Sequence, residues 1–221
     1  MQKVQTEALE NKMDVNSKSY SAYNIIKRFF DVIIASLALV ILSPVFIIIF
    51  ICIKVDSSGP AVFGHTRIGE NGKLIKVYKF RSMVENAEEV LRNFTAEQKK
   101  EFEKNFKLEN DPRITKVGNF LRKTSLDELP QLFNIILGNM SIVGPRPIIK
   151  KEIQKYGEYA DKLFSVKPGL TGYWQANGRS DTSYEERVQM DMFYIDNRSI
   201  SMDVKIIFKT IISVIKKEGA M

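Results

Sequence analysis

Hydrophobic and polar positions divide the chain sharply. Residues 32–53, VIIASLALVILSPVFIIIFICI, carry no charge. As an ideal helix this run would extend about 33 Å, close to the hydrocarbon thickness of a bilayer. It begins too late, runs too long and lacks the small-residue cleavage site of a signal peptide. Pro44 stands near its middle, preceded by Ser43. A proline there deletes the hydrogen bond to the Val40 carbonyl and clashes with that turn, which kinks a span or folds it back as a re-entrant hairpin. Basic residues flank both ends, with Lys18, Lys27 and Arg28 before and Lys54, Arg67 and Lys73 after. Orientation by positive charge needs an asymmetry that is almost missing here. A single span and a hairpin with both ends in the cytoplasm therefore stay open.

Beyond the run the periodicity changes. The first 24 residues are polar and read as a mobile tail or a short surface helix. After Asp56, turn residues alternate with short apolar runs: GENGK at 69–73 predicts a turn and LIKVYKF at 74–80 a strand, together a hairpin or irregular segment. Residues 84–108 predict a solvated helix pair, with Thr95 as an N-cap of the second helix. Further helices are predicted within TSLDELPQLFNIILGN (124–139), IKKEIQKYGEYADKLFSV (149–166) and SMDVKIIFKTIISVIKK (201–217). The last places Val204, Ile207, Phe208, Ile211, Ile212 and Ile215 at helical spacing, with Lys205, Lys209, Lys216 and Lys217 on the other side. Core packing explains such a helix, and so does a position on an anionic bilayer surface; the upstream apolar run favours the second. With few strand signals, the soluble part is expected to be α+β with more helix than sheet.

Composition narrows the chemistry. A net charge of +7 over 221 residues points to an anionic partner. Cys52 is the only cysteine and His65 the only histidine, which excludes an internal disulfide and, in effect, a His/Cys zinc site. A metal here would be a hard cation held by carboxylates, Mg²⁺ above all. Several arginines sit beside glycine or proline: Arg81 after YKF, Arg113 in DPR, Arg146 in GPRP and Arg179 in NGR. Rigid loops that present arginine suit bidentate phosphate recognition. With Lys79 and Arg122 they outline a di- or polyphosphate site.

Asp127 and Glu128 in TSLDELPQ admit two bland readings, a Ser125–Glu128 capping box or Asp127 as N-cap with Pro130 in the first turn. The alternative is a catalytic pair at a helix N-terminus, kept ionised by the dipole and bridged to phosphates by Mg²⁺.

The order of motifs then resembles one family. KRFFDVIIASLALVILSP, GPAVFGHTRIGENGK, YKFRSM, DPRITKVGNFLRKTSLDELPQLFNIILGNMSIVGPRP and KPGLTGYWQANGR follow one another as in the bacterial sugar transferases, the monotopic polyprenyl-phosphate phosphoglycosyl transferases, over roughly residues 25–215. The short N-terminus is similar to the family's minimal form. The resemblance implies transfer of a sugar-1-phosphate from a UDP-sugar to polyprenyl (undecaprenyl) phosphate, with UMP released, at the start of surface-glycan assembly. It implies Asp127 as nucleophile, Glu128 tied to Mg²⁺ beside it, Arg122 and Lys79 on phosphate, Arg146 and the Arg179 loop near the nucleotide, and Ser43–Pro44 as the break of a re-entrant hairpin. The domain plan that follows is a tail over 1–24, a membrane hairpin over 25–58, a cytosolic catalytic domain over 59–200 and a surface helix over 201–221. The expected location is the cytoplasmic face of the inner membrane, against inner-leaflet lipid.

Two other readings compete. A basic, membrane-tethered scaffold explains charge and anchor but not paired carboxylates beside arginine loops. No stacked-aromatic or helix-turn-helix signature suggests nucleic acid. Direct, non-covalent transfer to the lipid is the enzymatic alternative. The sugar, and whether the protein is a homodimer, are not readable from the residues.

Overall fold

The computed structural model describes residues 2–105, 108, 111–178 and 182–216. A long first helix, α1 (Gln2–Asp56), leads into an antiparallel hairpin, β1 (Val62–Ile68) and β2 (Leu74–Phe80), in the register Val62 opposite Phe80 and Ile68 opposite Leu74. Helices α2 (Ala87–Arg92), α3 (Ala96–Asn105) and α4 (Lys116–Lys123) follow. A 3-10 turn at Leu126–Glu128 precedes α5 (Gln131–Ile136). Then come β3 (Ser141–Val143), α6 (Ile153–Tyr156), α7 (Ala160–Phe164), β4 (Gly169–Thr171), α8 (Tyr173–Asn177), α9 (Tyr184–Asn197) and α10 (Ile200–Ile215). β3 and β4 pair in parallel, a contact between segments far apart in the chain. Helix dominates and sheet is slight, as expected.

Several local expectations hold for visible reasons. Thr95 Oγ1 accepts from Gln98 N and Gln98 Oε1 from Thr95 N, a reciprocal cap at the start of α3. The turn between β1 and β2 has Asn71 at φ +57° and Gly72 at φ +72°, residues that tolerate left-handed backbone. The single helix expected over 149–166 is instead broken, because Gly157 adopts φ +51° between α6 and α7.

α1 contains a stretch, Tyr20–Asp56, long and apolar enough to cross a membrane; only 11% of its most apolar window is buried, so it is not a core helix. It stays helical through Pro44. Ser43 Oγ donates to the Val40 carbonyl at 2.8 Å, the group that the missing proline N–H leaves unpaired. The expected break is therefore no interruption of the helix, since the serine hydroxyl replaces the lost bond.

Both ends of the apolar run touch the same body. On one side, the Arg28 guanidinium donates to the Ile135 and Ile136 carbonyls at the end of α5, and Asp31 Oδ1 accepts from Ile142 N at 3.0 Å. Lys27 and Tyr23 both reach Asp203 of α10, at 2.7 and 2.9 Å. On the other side, Phe46 packs on Phe80 and Phe133, and Ile49 and Ile53 join Ala61, Phe80 and Leu121 in a small core. The larger core gathers Val77, Leu132, Ile135, Met140, Tyr194 and Ile206.

α10 turns its less apolar side inward. Asp203, Ile206 and Ser213 are buried, whereas Val204, Phe208, Ile211 and Ile212 are exposed, Phe208 at 63%. Ile207 of the apolar stripe packs against the core, so core packing accounts for part of the stripe and leaves these four side chains outside it. Lys217 lies outside the described residues.

Candidate active site

β2 and the segment 115–131 build the site. Among the described residues the outer edge of β2 has no strand partner, and Asn134 of α5 takes that place. Its Oδ1 accepts from Tyr78 N at 2.8 Å and its Nδ2 donates to the Lys76 carbonyl at 2.6 Å. Asn134 is fully buried, so this clamp fixes α5, and the turn before it, against the strand that carries Lys79. α4 starts at a Thr115 cap, with Asp56 Oδ2 accepting from Val117 N. It sits so close to residue 82 that a Cβ on Gly118 would overlap the Ser82 carbonyl. Ser82 Oγ in turn accepts from Arg122 Nε at 2.9 Å.

Neither capping reading of TSLDELPQ survives. Ser125 adopts left-handed backbone, φ +56°, makes no cap bond, and turns the chain so that Asp127 and Glu128 fall in the 3-10 turn, ahead of α5. Both carboxylates face Lys79, whose Nζ lies 2.6 Å from Glu128 Oε1 and 3.9 Å from Asp127 Oδ2. They differ in electrostatics. Burial pushes the Asp127 carboxyl above the ordinary aspartate range, and neither Lys79 nor Arg122 brings it back. Burial acts on Glu128 too, but Lys79, Arg146 and Arg67 outweigh it and hold that carboxyl below the usual range. The expectation that a helix dipole acts on both carboxylates does not hold for Asp127, which lies in no α-helix and is desolvated.

An open cleft of about 270 Å³ adjoins the pair, lined by Arg67, Lys79, Glu128, Gln131, Arg146 and Gln175 among others. Lys79, Glu128 and Arg146 were expected there; Arg67, Gln131 and Gln175 were not. Gln175 Oε1 is buried without a donor, an acceptor that a ligand O–H or N–H can use. Arg122 stands behind Asp127 and acts on it through charge.

Two expected phosphate ligands are engaged elsewhere. The Arg81 guanidinium donates to the Ser57 carbonyl at 2.9 Å and to that of Ser58, closing the end of α1. Arg113 pairs with Asp111, with Nη2–Oδ2 at 2.6 Å, and its guanidinium lies 5.2 and 4.9 Å from the ring centres of Phe94 and Phe102. A glycine or proline neighbour signals a turn but not the direction in which the arginine points. Arg179 lies outside the described residues.

Among the described residues no group of three or more His, Cys, Asp or Glu side chains is placed to hold a metal. The adjacent carboxylates of Asp127 and Glu128 fit a more modest role. Mg²⁺ commonly binds one or two carboxylates and completes its shell with water and substrate phosphates. Glu128, held ionised, is the better donor.

A desolvated carboxylate beside an ionised one, next to a cleft rich in cations, on a body that carries a membrane-length helix, makes a site able to take an anionic ligand. The chain belongs to the bacterial sugar transferase family, whose model matches residues 22–217. It is 47% identical over 208 residues to the undecaprenyl-phosphate galactose phosphotransferase of Salmonella typhimurium, covering 93% of this chain and 44% of that protein. It is 48% identical over 197 residues to the exopolysaccharide production protein ExoY of Sinorhizobium fredii, covering 88% and 87%. The UDP-glucose:undecaprenyl-phosphate glucose-1-phosphate transferase of Escherichia coli is 43% identical over 196 residues, covering 85% and 39%. The chain thus spans less than half of the Salmonella and Escherichia proteins and most of ExoY.

Proposed function

We propose that this protein transfers a sugar-1-phosphate from a UDP-sugar to polyprenyl phosphate at the cytoplasmic face of the inner membrane, by way of a covalent intermediate on Asp127. The observation that carries this reading is the unequal pair, a desolvated Asp127 and an ionised Glu128 sharing Lys79. A desolvated carboxylate is a stronger nucleophile once deprotonated, and nearby cations favour that state when substrate is bound. Asp127 Oδ attacks the β-phosphorus, and the bond from that phosphorus to the bridging oxygen breaks, so UMP leaves. A phosphate oxygen of the lipid then displaces Asp127, giving the polyprenyl-diphosphate sugar. One phosphoanhydride replaces another, so no external energy source is needed. Lys79 and Arg146 hold and neutralise phosphate oxygens, and Arg122 adds positive charge near Asp127. Mg²⁺ bound through Glu128 would supply further charge neutralisation.

The membrane geometry supports the same reading. Asp31 and Ile53, at opposite ends of the apolar run, are both hydrogen-bonded to one globular body. A straight span would separate them by about 33 Å across the bilayer. A re-entrant helix bent at Ser43–Pro44, with α10 lying on the surface, lets both ends and the site meet the lipid phosphate on one side. UMP release from a panel of UDP-sugars, with polyprenyl phosphate and Mg²⁺, tests the activity. EDTA and Glu128→Gln should each abolish release, and Mg²⁺ should restore only the chelated wild type. Full activity in EDTA would remove the metal from the proposal, and no release from any UDP-sugar would overturn the reaction.

A further inference from the structure

Arg67, next to the last residue of β1, lines the cleft and is poorly held there. Its side chain is only 16% exposed. Nη1 lies 3.4 Å from the Pro147 carbonyl and 3.5 Å from Glu152 Oε2, and Nη2 lies 3.3 Å from His65 Nδ1. All three contacts exceed the usual 2.7–3.2 Å range of N–H donors. Arg113, by contrast, has an Nη2–Oδ2 contact of 2.6 Å. Arg146 lines the same cleft, and its like charge acts on Arg67. Arg67, Lys79 and Arg146 line the cleft against the single carboxylate of Glu128. A buried cation with long contacts, next to another cation, is a site awaiting an anion.

Glu152 is the fixed point behind it. Its Oε2 accepts from Ile149 N at 2.8 Å, and its charge acts on Tyr184, whose ring stands edge-on to Tyr156 at 5.9 Å. Held by that backbone bond, Glu152 meets only Nη1 of the guanidinium, at 3.5 Å. The remaining N–H groups stay available in the cleft.

We propose that Arg67 binds the diphosphate of the nucleotide-sugar by its guanidinium fork, and that Glu152 is the positioning residue that aims it. This rests on the function proposed above. The two surplus positive charges of the cleft match the two negative charges of a nucleoside diphosphate diester, and a fork engages two phosphate oxygens at once.

UDP titration into Asp127→Asn protein, followed by calorimetry, isolates binding from turnover. Adding Arg67→Ala should weaken UDP affinity at least tenfold, and Arg67→Lys, which keeps charge but loses the fork, should weaken it less. In otherwise wild-type enzyme Glu152→Gln should raise KM for the UDP-sugar several-fold, with a smaller change in kcat. Unchanged UDP affinity in both Arg67 variants, or a lowered melting temperature with unchanged affinity, would overturn the assignment. Should the Ala variant not fold, the Lys variant decides alone. Failure of the underlying reading is seen separately, as absence of UMP release by the wild-type enzyme.

Discussion

At the scale of single residues, function and stability pull apart at Asp127. Its carboxyl is raised by burial, so the folded protein binds its proton more tightly than the unfolded chain does. The stability it contributes is full below the ordinary aspartate range and is lost as pH rises through the folded value. At neutral pH a neutral side chain should therefore be tolerated: Asp127→Asn is expected to melt at or above the wild-type temperature while UMP release disappears. Calorimetry in chelated buffer and a turnover assay check both halves, and near-wild-type release from this variant would return Asp127 to a structural role. Asp191 supplies a second pH-dependent term away from the site. It is fully buried, accepts one bond from the Tyr156 hydroxyl at 2.8 Å, and leaves Oδ1 without a partner. Burial raises it from 3.8 to about 7. The wild type should lose stability as pH rises across that window, by up to ~4 kcal/mol for a shift of this size. Asp191→Asn keeps an acceptor for Tyr156 and should flatten the profile, stabilising the protein most at pH 8; an unchanged slope in denaturant melts would contradict it.

Among the elements, the hinge of the site is the contact between α5 and β2. Removing the Asn134 amide leaves Tyr78 N and the Lys76 carbonyl buried without partners, which costs about 2–4 kcal/mol for the two groups together. Asn134→Ala is expected to lower the midpoint of urea unfolding and to reduce kcat by moving Lys79 away from the carboxylates; unaltered turnover would mean that the strand holds Lys79 without the clamp. This contact also marks where sequence reading stops. The hairpin, the Thr95 cap and the apolar helix were legible because each is encoded within a few neighbouring residues. The pairing of β3 with β4 was not: three residues near 142 meet three near 170, and strands this short carry no periodicity. Ser125 in left-handed backbone was equally hidden, since its hydroxyl imitates a capping residue. Arg67 was read only as a basic flank of the apolar run, because a strand arginine that lines a cleft differs from a solvated one only through its neighbours in space. Arg146 was singled out by its glycine and proline neighbours, a rule that also drew in Arg81 and Arg113, and motif order then joined it to Lys79 and Glu128.

The whole molecule carries one apolar helix of membrane-crossing length and exposed apolar side chains beside it. Exposed Phe29, Ile33, Leu37 and Ile41 on α1, Phe133 and Leu137 near the end of α5, and Phe208 and Ile211 on α10 form apolar surface too extensive for a water-exposed monomer. In the proposed hairpin arrangement, a cysteine near residue 2 and one near residue 221, each in a Cys52→Ser background, should both be protected from an impermeant reagent outside intact cells. Labelling of one end alone would establish a span. Pro44→Ala with Ser43→Leu restores a continuous apolar helix and should shift the protein toward that span, with activity falling as the site leaves the lipid phosphate. The central claim, however, is the bond to Asp127, and it is tested most directly by withholding the acceptor. Incubated with its UDP-sugar and Mg²⁺ but no polyprenyl phosphate, the enzyme should release a burst of UMP no larger than the amount of protein. The peptide containing Asp127 should gain the mass of one sugar phosphate, and the lipid should discharge it. No burst and an unmodified peptide, with normal turnover once lipid is added, would show direct transfer to the lipid and contradict the covalent mechanism.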